Sequence, residues 1–255
     1  MKTNHHSLVF ILTVFALAAF VGAAQAQIVS IQFSGTGTAL SSTISAGAVS
    51  ATNWNSEAAS SGSGITGLVD STGATVSGLS LTYTSNGNVG GGSPGGDQGL
   101  QDLYSSHLES PYSADATGTV ANNRVALLLT NIPYAAYDIY VYTRNAGNNS
   151  KVWQSTTNFY TSNADIASNS TSIAYTDAGA STYVNGGNYV VFTGLTGTQQ
   201  FLLDSGILDG GGSNNNSGFA GVQIVSAVPE PSTYAMMLGG LGLLMVLRRF
   251  SARKV

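Results

Sequence analysis

Short apolar or alternating runs recur through the middle of the chain, separated by clusters of Gly, Ser, Asn and Thr. Short runs bounded by turn-forming residues are typical of β-strands in a sandwich or barrel. The runs are Ile28 to Phe33, Val76 to Thr84, Val120 to Thr130, Tyr137 to Thr143, Tyr189 to Thr193, Phe201 to Leu203 and Phe219 to Val225. The pattern predicts an all-β fold, organised as a single two-sheet β-sandwich.

One segment has the period of a helix. Apolar residues recur there at i, i+3, i+4, i+7 and i+8, and Asp97 stands where an N-cap is needed. The residues are Leu100, Leu103, Tyr104, His107 and Leu108. The glycine-rich stretch before them, 90–96, lacks the lysine of a phosphate-binding loop, so we interpret it as a flexible loop. The sequence therefore predicts one short amphipathic helix.

The N-terminal segment carries a basic residue, Lys2, followed by the apolar run Leu8 to Val21 and then by Ala24-Gln25-Ala26. A basic start, an apolar stretch of this length and an A-x-A site are typical of a secretory signal peptide. A buried apolar helix is the alternative, but it would not explain the A-x-A site. We therefore predict a signal helix over residues 1–26, an exported protein, and a mature chain that starts at Gln27.

The C-terminus has three parts. The triplet Pro229, Glu230 and Pro231 is followed by an apolar run over 234–247 and a basic tail over 248–254. As a helix, 14 residues reach only about 21 Å, against a hydrocarbon core of about 30 Å. The run lacks a polar face, however, and its flanking arginines can extend towards the headgroups. The basic residues are Arg248, Arg249, Arg253 and Lys254. They predict a short transmembrane helix with its C-terminus in the cytoplasm.

This three-part order resembles the PEP-CTERM sorting signal of bacterial exosortase substrates. The resemblance covers 229–255 and implies that Pro229, Glu230 and Pro231 are bound by a membrane-embedded exosortase, which cuts near them. It also implies an inner-membrane intermediate, anchored transiently by the C-terminal helix. The protein would then reach the cell surface or an extracellular matrix of exopolysaccharide, as in a biofilm.

A weaker resemblance extends over the intervening domain, 27–228. Its element order, from Trp54-Asn55 through 68–74 and 129–142 to 218–225, is similar to that of surface proteins with the same signal. Those proteins are thought to be jelly-roll-like sandwiches. The resemblance implies a jelly-roll-like ectodomain and brings no known activity with it.

Composition and charge narrow the function classes. The chain has 255 residues, no cysteine and only 8% charged residues, so it has no disulfide framework and no thiol nucleophile. Residues 27–228 contain eleven acidic and three basic side chains, a net charge of −8. Such a domain is a poor partner for nucleic acid or an acidic membrane surface.

Catalytic and metal chemistry have little support in the sequence. His107 is the one histidine left after signal removal, so a histidine metal site is excluded and a catalytic triad would depend on it. The acidic residues are scattered, and we expect solvated carboxylates rather than a glycosidase pair. Asp204, Asp209 and 214–216 could supply oxygen ligands for Ca²⁺, but an ordinary Gly/Asn loop is favoured. We predict no catalytic residue, no metal and no cofactor.

The strand Tyr137 to Tyr142 carries the most suggestive pattern. Its period of two places Tyr137, Ile139 and Val141 on one face and Asp138, Tyr140 and Tyr142 on the other. The first set predicts a core face. The second combines two rings with a carboxylate, the groups that hold a sugar, so we name Asp138, Tyr140 and Tyr142 as a candidate glycan-binding face. The alternative is that both faces are buried.

Together these features predict a non-enzymatic, structural or adhesive protein of an extracellular polysaccharide matrix, processed by an exosortase. A carbohydrate-binding module is the second hypothesis. A glycoside-active enzyme with paired carboxylates is the third, and two convergent carboxylates about 5–10 Å apart would favour it.

Overall fold

A computed structural model describes residues 26–90, 95–109, 125–144, 150–156, 170–176, 181–204, 217–227 and 242. Residues 27–227 form one compact unit. The described part of this unit is mostly β-structure, arranged in two sheets, with one short helix. The all-β prediction is therefore confirmed.

The strands are β1 Ile28–Phe33, β2 Asn55–Glu57, β3 Ser61–Ile65, β4 Ser80–Thr84, β5 Gly87–Gly90, β6 Ser106–Glu109, β7 Val125–Thr130, β8 Tyr137–Arg144, β9 Lys151–Ser155, β10 Thr171–Ala174, β11 Tyr189–Leu195, β12 Gln199–Asp204 and β13 Gly218–Ser226. The helix, α1, spans Gln98–Leu103. The Asp97 carboxylate caps it by accepting a hydrogen bond from the Leu100 N–H at 2.8 Å.

The first sheet has the strand order β11-β8-β13-β1-β2, and β6 joins it by pairing with β13 and β5. β13 lies between β8 and β1, antiparallel to both. All six residues of β1 are buried, as are the first seven of β13. Both strands keep polar side chains among their buried residues, Ser30 and Gln32 in β1 and Gln223 in β13. Burial on both faces therefore does not produce a continuous apolar run here.

The second sheet has the order β10-β9-β12-β7-β4-β3, and each neighbouring pair is antiparallel. In β4 the burial alternates, with Leu81 and Tyr83 inside. Both sheets contribute to one apolar core: Ile31, Ile139 and Val222 from the first sheet, and Leu127 and Phe201 from the second, belong to the same cluster of packed side chains.

The predicted core face of β8 is confirmed, since Tyr137, Ile139 and Val141 are fully buried in this core. Every predicted strand overlaps an observed one, although the bounds of several differ. The prediction missed the short or polar strands β2, β3, β5, β6, β9 and β10.

The helix prediction was right at its start and wrong at its end. α1 ends at Leu103, and Tyr104 is its C-cap. His107 and Leu108 belong to β6, where Leu108 pairs with Phe219 of β13 and His107 with Val89 of β5. Pairing with two strands has overridden the local helical period, a non-local effect that the periodicity cannot register.

The predicted signal helix, the helix over 234–247 and the basic tail lie outside the described residues, apart from Ala26 and the helical Gly242. Among the described residues, no helix is long and apolar enough to cross a membrane.

Candidate functional site

The outer face of the first sheet is covered by a second layer. α1 and the segment 40–54 pack on the side of β8 and β13 that faces away from the apolar core, and they form a second cluster of buried side chains. Its fully buried rings are Tyr104 of the helix cap and Tyr142 of β8, with Trp54 beside them at 6% exposure. We call this group, together with the partly buried Tyr140, Tyr183 and Tyr189, the aromatic cluster.

Tyr142 lies at the centre of the aromatic cluster. Its ring centroid is 5.9 Å from that of Trp54, 5.8 Å from Tyr183, 6.0 Å from Tyr189 and 6.3 Å from Tyr104. The pairs with Trp54, Tyr104 and Tyr183 meet edge to face, an arrangement favoured by the ring quadrupoles. The face that the sequence assigned to a ligand is, at Tyr142, occupied by the protein itself.

The Tyr142 hydroxyl is used twice inside the domain. It accepts a hydrogen bond from the Ala48 N–H at 2.7 Å and donates one to Oε1 of Gln223. Burial raises the pKa of Tyr142 well above its usual value, although the bond from Ala48 lowers it. Of the three residues predicted to bind a glycan, Tyr142 is the one that the fold occupies, because its ring is fully buried and its hydroxyl holds the loop at Ala48.

Two further tyrosines of the cluster also hold backbone. The Tyr183 hydroxyl accepts from the Gly47 N–H at 2.8 Å, and the Tyr104 hydroxyl donates to the Asn188 carbonyl at 2.5 Å. Burial raises the pKa of Tyr183 to about 12. Gly47 has φ of +95°, and a Cβ there would lie 2.5 Å from Oε1 of Gln223, so the loop approaches the sheet closely only as glycine.

Tyr140 and Tyr189 differ from the other three tyrosines. Both are partly exposed, and neither hydroxyl has a hydrogen-bond partner among the described residues. Their ring centroids are 5.9 Å apart with an interplanar angle of 34°. β11 brings them together, because Tyr189 pairs with Tyr142 and Val191 with Tyr140, which places both tyrosines on one face.

Asp138 completes this exposed group. One oxygen of its carboxylate accepts from the Gly194 N–H at 2.8 Å. The pKa of Tyr140 is raised by burial, and then by the charge of Asp138 and the neighbouring Tyr189. We call Asp138, Tyr140 and Tyr189 the tyrosine pair site. It offers two ring faces, two hydroxyls and a carboxylate oxygen to a ligand that carries hydroxyl groups and apolar C–H faces.

Sequence reasoning missed Tyr189 as a member of this site. The residue stands at the start of a predicted strand, but only the pairing of β11 with β8 shows which face it shares. The available signal is the alternation of Tyr189, Val191 and Thr193 with Val190 and Phe192, which gives this strand one apolar and one mixed face.

Three other described carboxylates have structural partners. Asp70 accepts from the Thr72 N–H and hydroxyl and from the Ala74 N–H at 2.6–3.1 Å, which closes a tight turn. Burial by itself would raise its pKa, but these bonds outweigh it and lower the pKa below the usual value. Asp102 accepts from Nε2 of Gln98 at 2.6 Å, and Asp97 caps α1.

The remaining candidates are quickly placed. His107 is fully buried within β6, not on a helix stripe. Among the described residues, no three His, Asp or Glu side chains are grouped so as to hold a metal. The proposed calcium ligands Asp209 and 214–216 lie outside the described residues, as do the side chain of Asp204 and the sorting residues 229–231, 248, 249, 253 and 254.

The site and fold define an all-β domain with a packed second layer and a small exposed tyrosine group. A family model for the PEP-CTERM protein-sorting motif matches residues 227–254. The chain is therefore a PEP-CTERM sorting domain-containing protein. No curated protein and no solved structure matches the chain.

This motif marks a surface protein that is targeted to an exosortase. It implies export, membrane-associated sorting towards the cell surface and processing by the exosortase. The match begins at residue 227, directly after Ser226, the last residue of β13.

Proposed function

We propose that this protein is a secreted, surface-sorted structural or adhesive component of an extracellular polysaccharide matrix, displayed as a jelly-roll-like β-sandwich. The observation that carries the proposal is the sorting motif at 227–254. The packing of the domain supports the proposal. An apolar core between two sheets and a covered outer face suit a stable structural protein outside the cell.

The proposal includes that the ectodomain is not an enzyme. It is supported by the partners of Asp70, Asp97 and Asp102, whose carboxylates close a turn, cap a helix and bond to Gln98. A hydrolytic carboxylate pair needs one group free to give or take a proton, and these three are committed to the fold.

The test is to follow the full chain in a host that has an exosortase. Wild-type protein should pass through the inner membrane and accumulate in the matrix fraction, lacking residues after the sorting triplet. Replacing Pro229, Glu230 and Pro231 by alanine should leave the chain in the inner membrane with its C-terminus intact. A matched triple-alanine change at Ser61, Ser63 and Ser172, which are exposed in the folded domain, controls for damage by substitution alone. Matrix accumulation of the sorting variant would contradict the proposal.

The second candidate function is carbohydrate binding, and the tyrosine pair site favours it. Its partly exposed rings, and hydroxyls without a partner among the described residues, suit a neutral or basic polysaccharide, whereas the net charge of −8 would repel an acidic one. Co-sedimentation with insoluble neutral glucan, chitosan and alginate tests this directly. Retention on the first two and not on alginate is expected, and equal retention on all three would exclude a specific site.

A further inference from the structure

The first and last residues of the folded domain lie next to each other. Gln27 donates its N–H to the Ser226 hydroxyl at 2.7 Å, and its carbonyl accepts from the Ser226 N–H at 2.9 Å. Ala227 donates to the Ala136 carbonyl at 2.9 Å. The strand pairing of β13 therefore continues up to the first residue that the sorting motif covers.

Little chain separates this fold from the sorting triplet. Pro229 follows Ala227 by two residues, which span at most about 7 Å when fully extended. β13 lies between β8 and β1 and pairs with both, so freeing more chain would break hydrogen bonds on two sides. An enzyme that binds the triplet must therefore come within several ångströms of the folded domain.

The surface at this end is unusual in charge. We call the loops 66–79, 131–136 and 194–198, together with Gln27 and Ala227, the terminal end. These loops contain one charged residue, Asp70, which is buried and whose carboxylate is bonded within its own turn. Asp138, the second residue of β8, adds one partly buried carboxylate beside them, which accepts from the Gly194 N–H. The opposite end of the sheets carries Glu57, Glu109 and Arg144. In a domain of net charge −8, loops that add no exposed charge to the end facing the processing enzyme lower the cost of desolvation on contact.

We propose that the terminal end is a contact surface for the exosortase, buried against the enzyme while the enzyme holds Pro229 to Pro231. The proposal rests on the exosortase processing described above. It assigns the enzyme a second recognition element, the sparsely charged end of a folded ectodomain, beyond the linear triplet.

The test places charge on this surface in the full chain and follows processing by pulse-chase in a host with the exosortase. Ala74 and Ala135 are exposed at the terminal end, and Ala58 and Ala59 are exposed at the opposite end, which provides matched controls. Ala74→Glu, Ala74→Lys, Ala135→Glu and Ala135→Lys should each slow processing at least about tenfold, because a charge of either sign must be desolvated in the contact. Ala58→Glu, Ala58→Lys, Ala59→Glu and Ala59→Lys should process at the wild-type rate.

A second arm separates contact from misfolding. An eight-residue Gly-Ser linker between Ala227 and Val228 moves the charged surface away from the enzyme and should relieve the slowing in the Ala74 and Ala135 variants. Protease resistance of the exported chains checks that they are folded. Unchanged processing of the charged variants, equal slowing of the controls, or slowing that the linker does not relieve would each overturn the proposal. If wild-type chain itself is not processed, the proposed function fails instead.

Discussion

The apolar core to which both sheets contribute and the aromatic cluster on the outer face of the first sheet consist of different kinds of side chain. The core holds mainly aliphatic side chains with no polar tip, such as Ile139 and Val141, and only three tyrosines, so burial of apolar area accounts for most of its stability. The aromatic cluster holds tyrosines, each with a hydroxyl that must be bonded or wet. This difference makes the second region informative, because the partner of each hydroxyl separates structural tyrosines from those available to a ligand.

The largest expected effect comes from removing the Tyr142 ring at the centre of the aromatic cluster. Tyr142→Ala should lower the free energy of unfolding of residues 27–227 by about 3–5 kcal/mol, as large-to-small changes in a packed core do. Ile139→Ala removes a side chain from the core face of the same strand, two residues before Val141. It should lower the free energy of unfolding by about 2–5 kcal/mol. Chemical denaturation measures both. A loss below about 1 kcal/mol for Tyr142→Ala would show that the second layer is not packed as a core.

The next effect isolates the hydroxyl. Tyr142→Phe keeps the ring but leaves the Ala48 N–H and Oε1 of Gln223 without their partner, so we expect a loss of about 1–3 kcal/mol. Tyr140→Phe is the matched control, since its hydroxyl has no partner among the described residues, and it should change stability by less than about 0.5 kcal/mol. Equal effects of the two changes in thermal unfolding would contradict the division of the tyrosines.

The loop that these hydroxyls hold offers a smaller test. Gly47→Ala places a Cβ where φ is +95° and where Oε1 of Gln223 lies 2.5 Å away. We expect a loss of about 1–3 kcal/mol from backbone strain. Gly67→Ala serves as a control for strain alone, because Gly67 also has positive φ but open space around the added Cβ. A smaller loss at Gly47 than at Gly67 would show that the close approach to Gln223 does not restrain the loop.

We expect low pH to destabilise the domain through Asp70, which belongs to neither cluster. Its pKa is lowered in the folded state, so it contributes stability that is fully present above its unfolded pKa and is lost as pH falls through the folded pKa. Asp70→Asn should therefore be less stable than wild type at neutral pH, and the difference should shrink as pH falls below about 4. Thermal unfolding from pH 7 to pH 2 measures this. A difference that grows towards acid would have the wrong sign for the account.

The alternation along β8 shows what local sequence can and cannot predict. It placed Tyr137, Ile139 and Val141 correctly in the core, because strand geometry alone decides which residues share a face. It could not show that the other face is covered, since the covering residues come from α1 and 40–54, far away in sequence. Tyr189 was missed for the same reason, because its place beside Tyr140 depends on the register of β11.

The sorting signal was predictable for the opposite reason. Its recognition depends on a linear order of residues, a Pro-Glu-Pro triplet, an apolar run and a basic tail, which needs no tertiary contact to be seen. His107 shows the contrast within a few residues, since the helical period extended to it while pairing with β5 placed it in a strand.

The most direct measurement combines polysaccharide binding with unfolding in two variants. If the tyrosine pair site carries the adhesive function, Tyr140→Ala should weaken binding to the polysaccharide that retains wild type by roughly 1–3 kcal/mol while costing about 1 kcal/mol or less in stability. Tyr142→Phe should do the reverse, losing stability while keeping wild-type affinity. Binding that survives Tyr140→Ala and Tyr189→Ala, or falls only in proportion to lost stability, would contradict the assignment of the exposed tyrosines to a ligand.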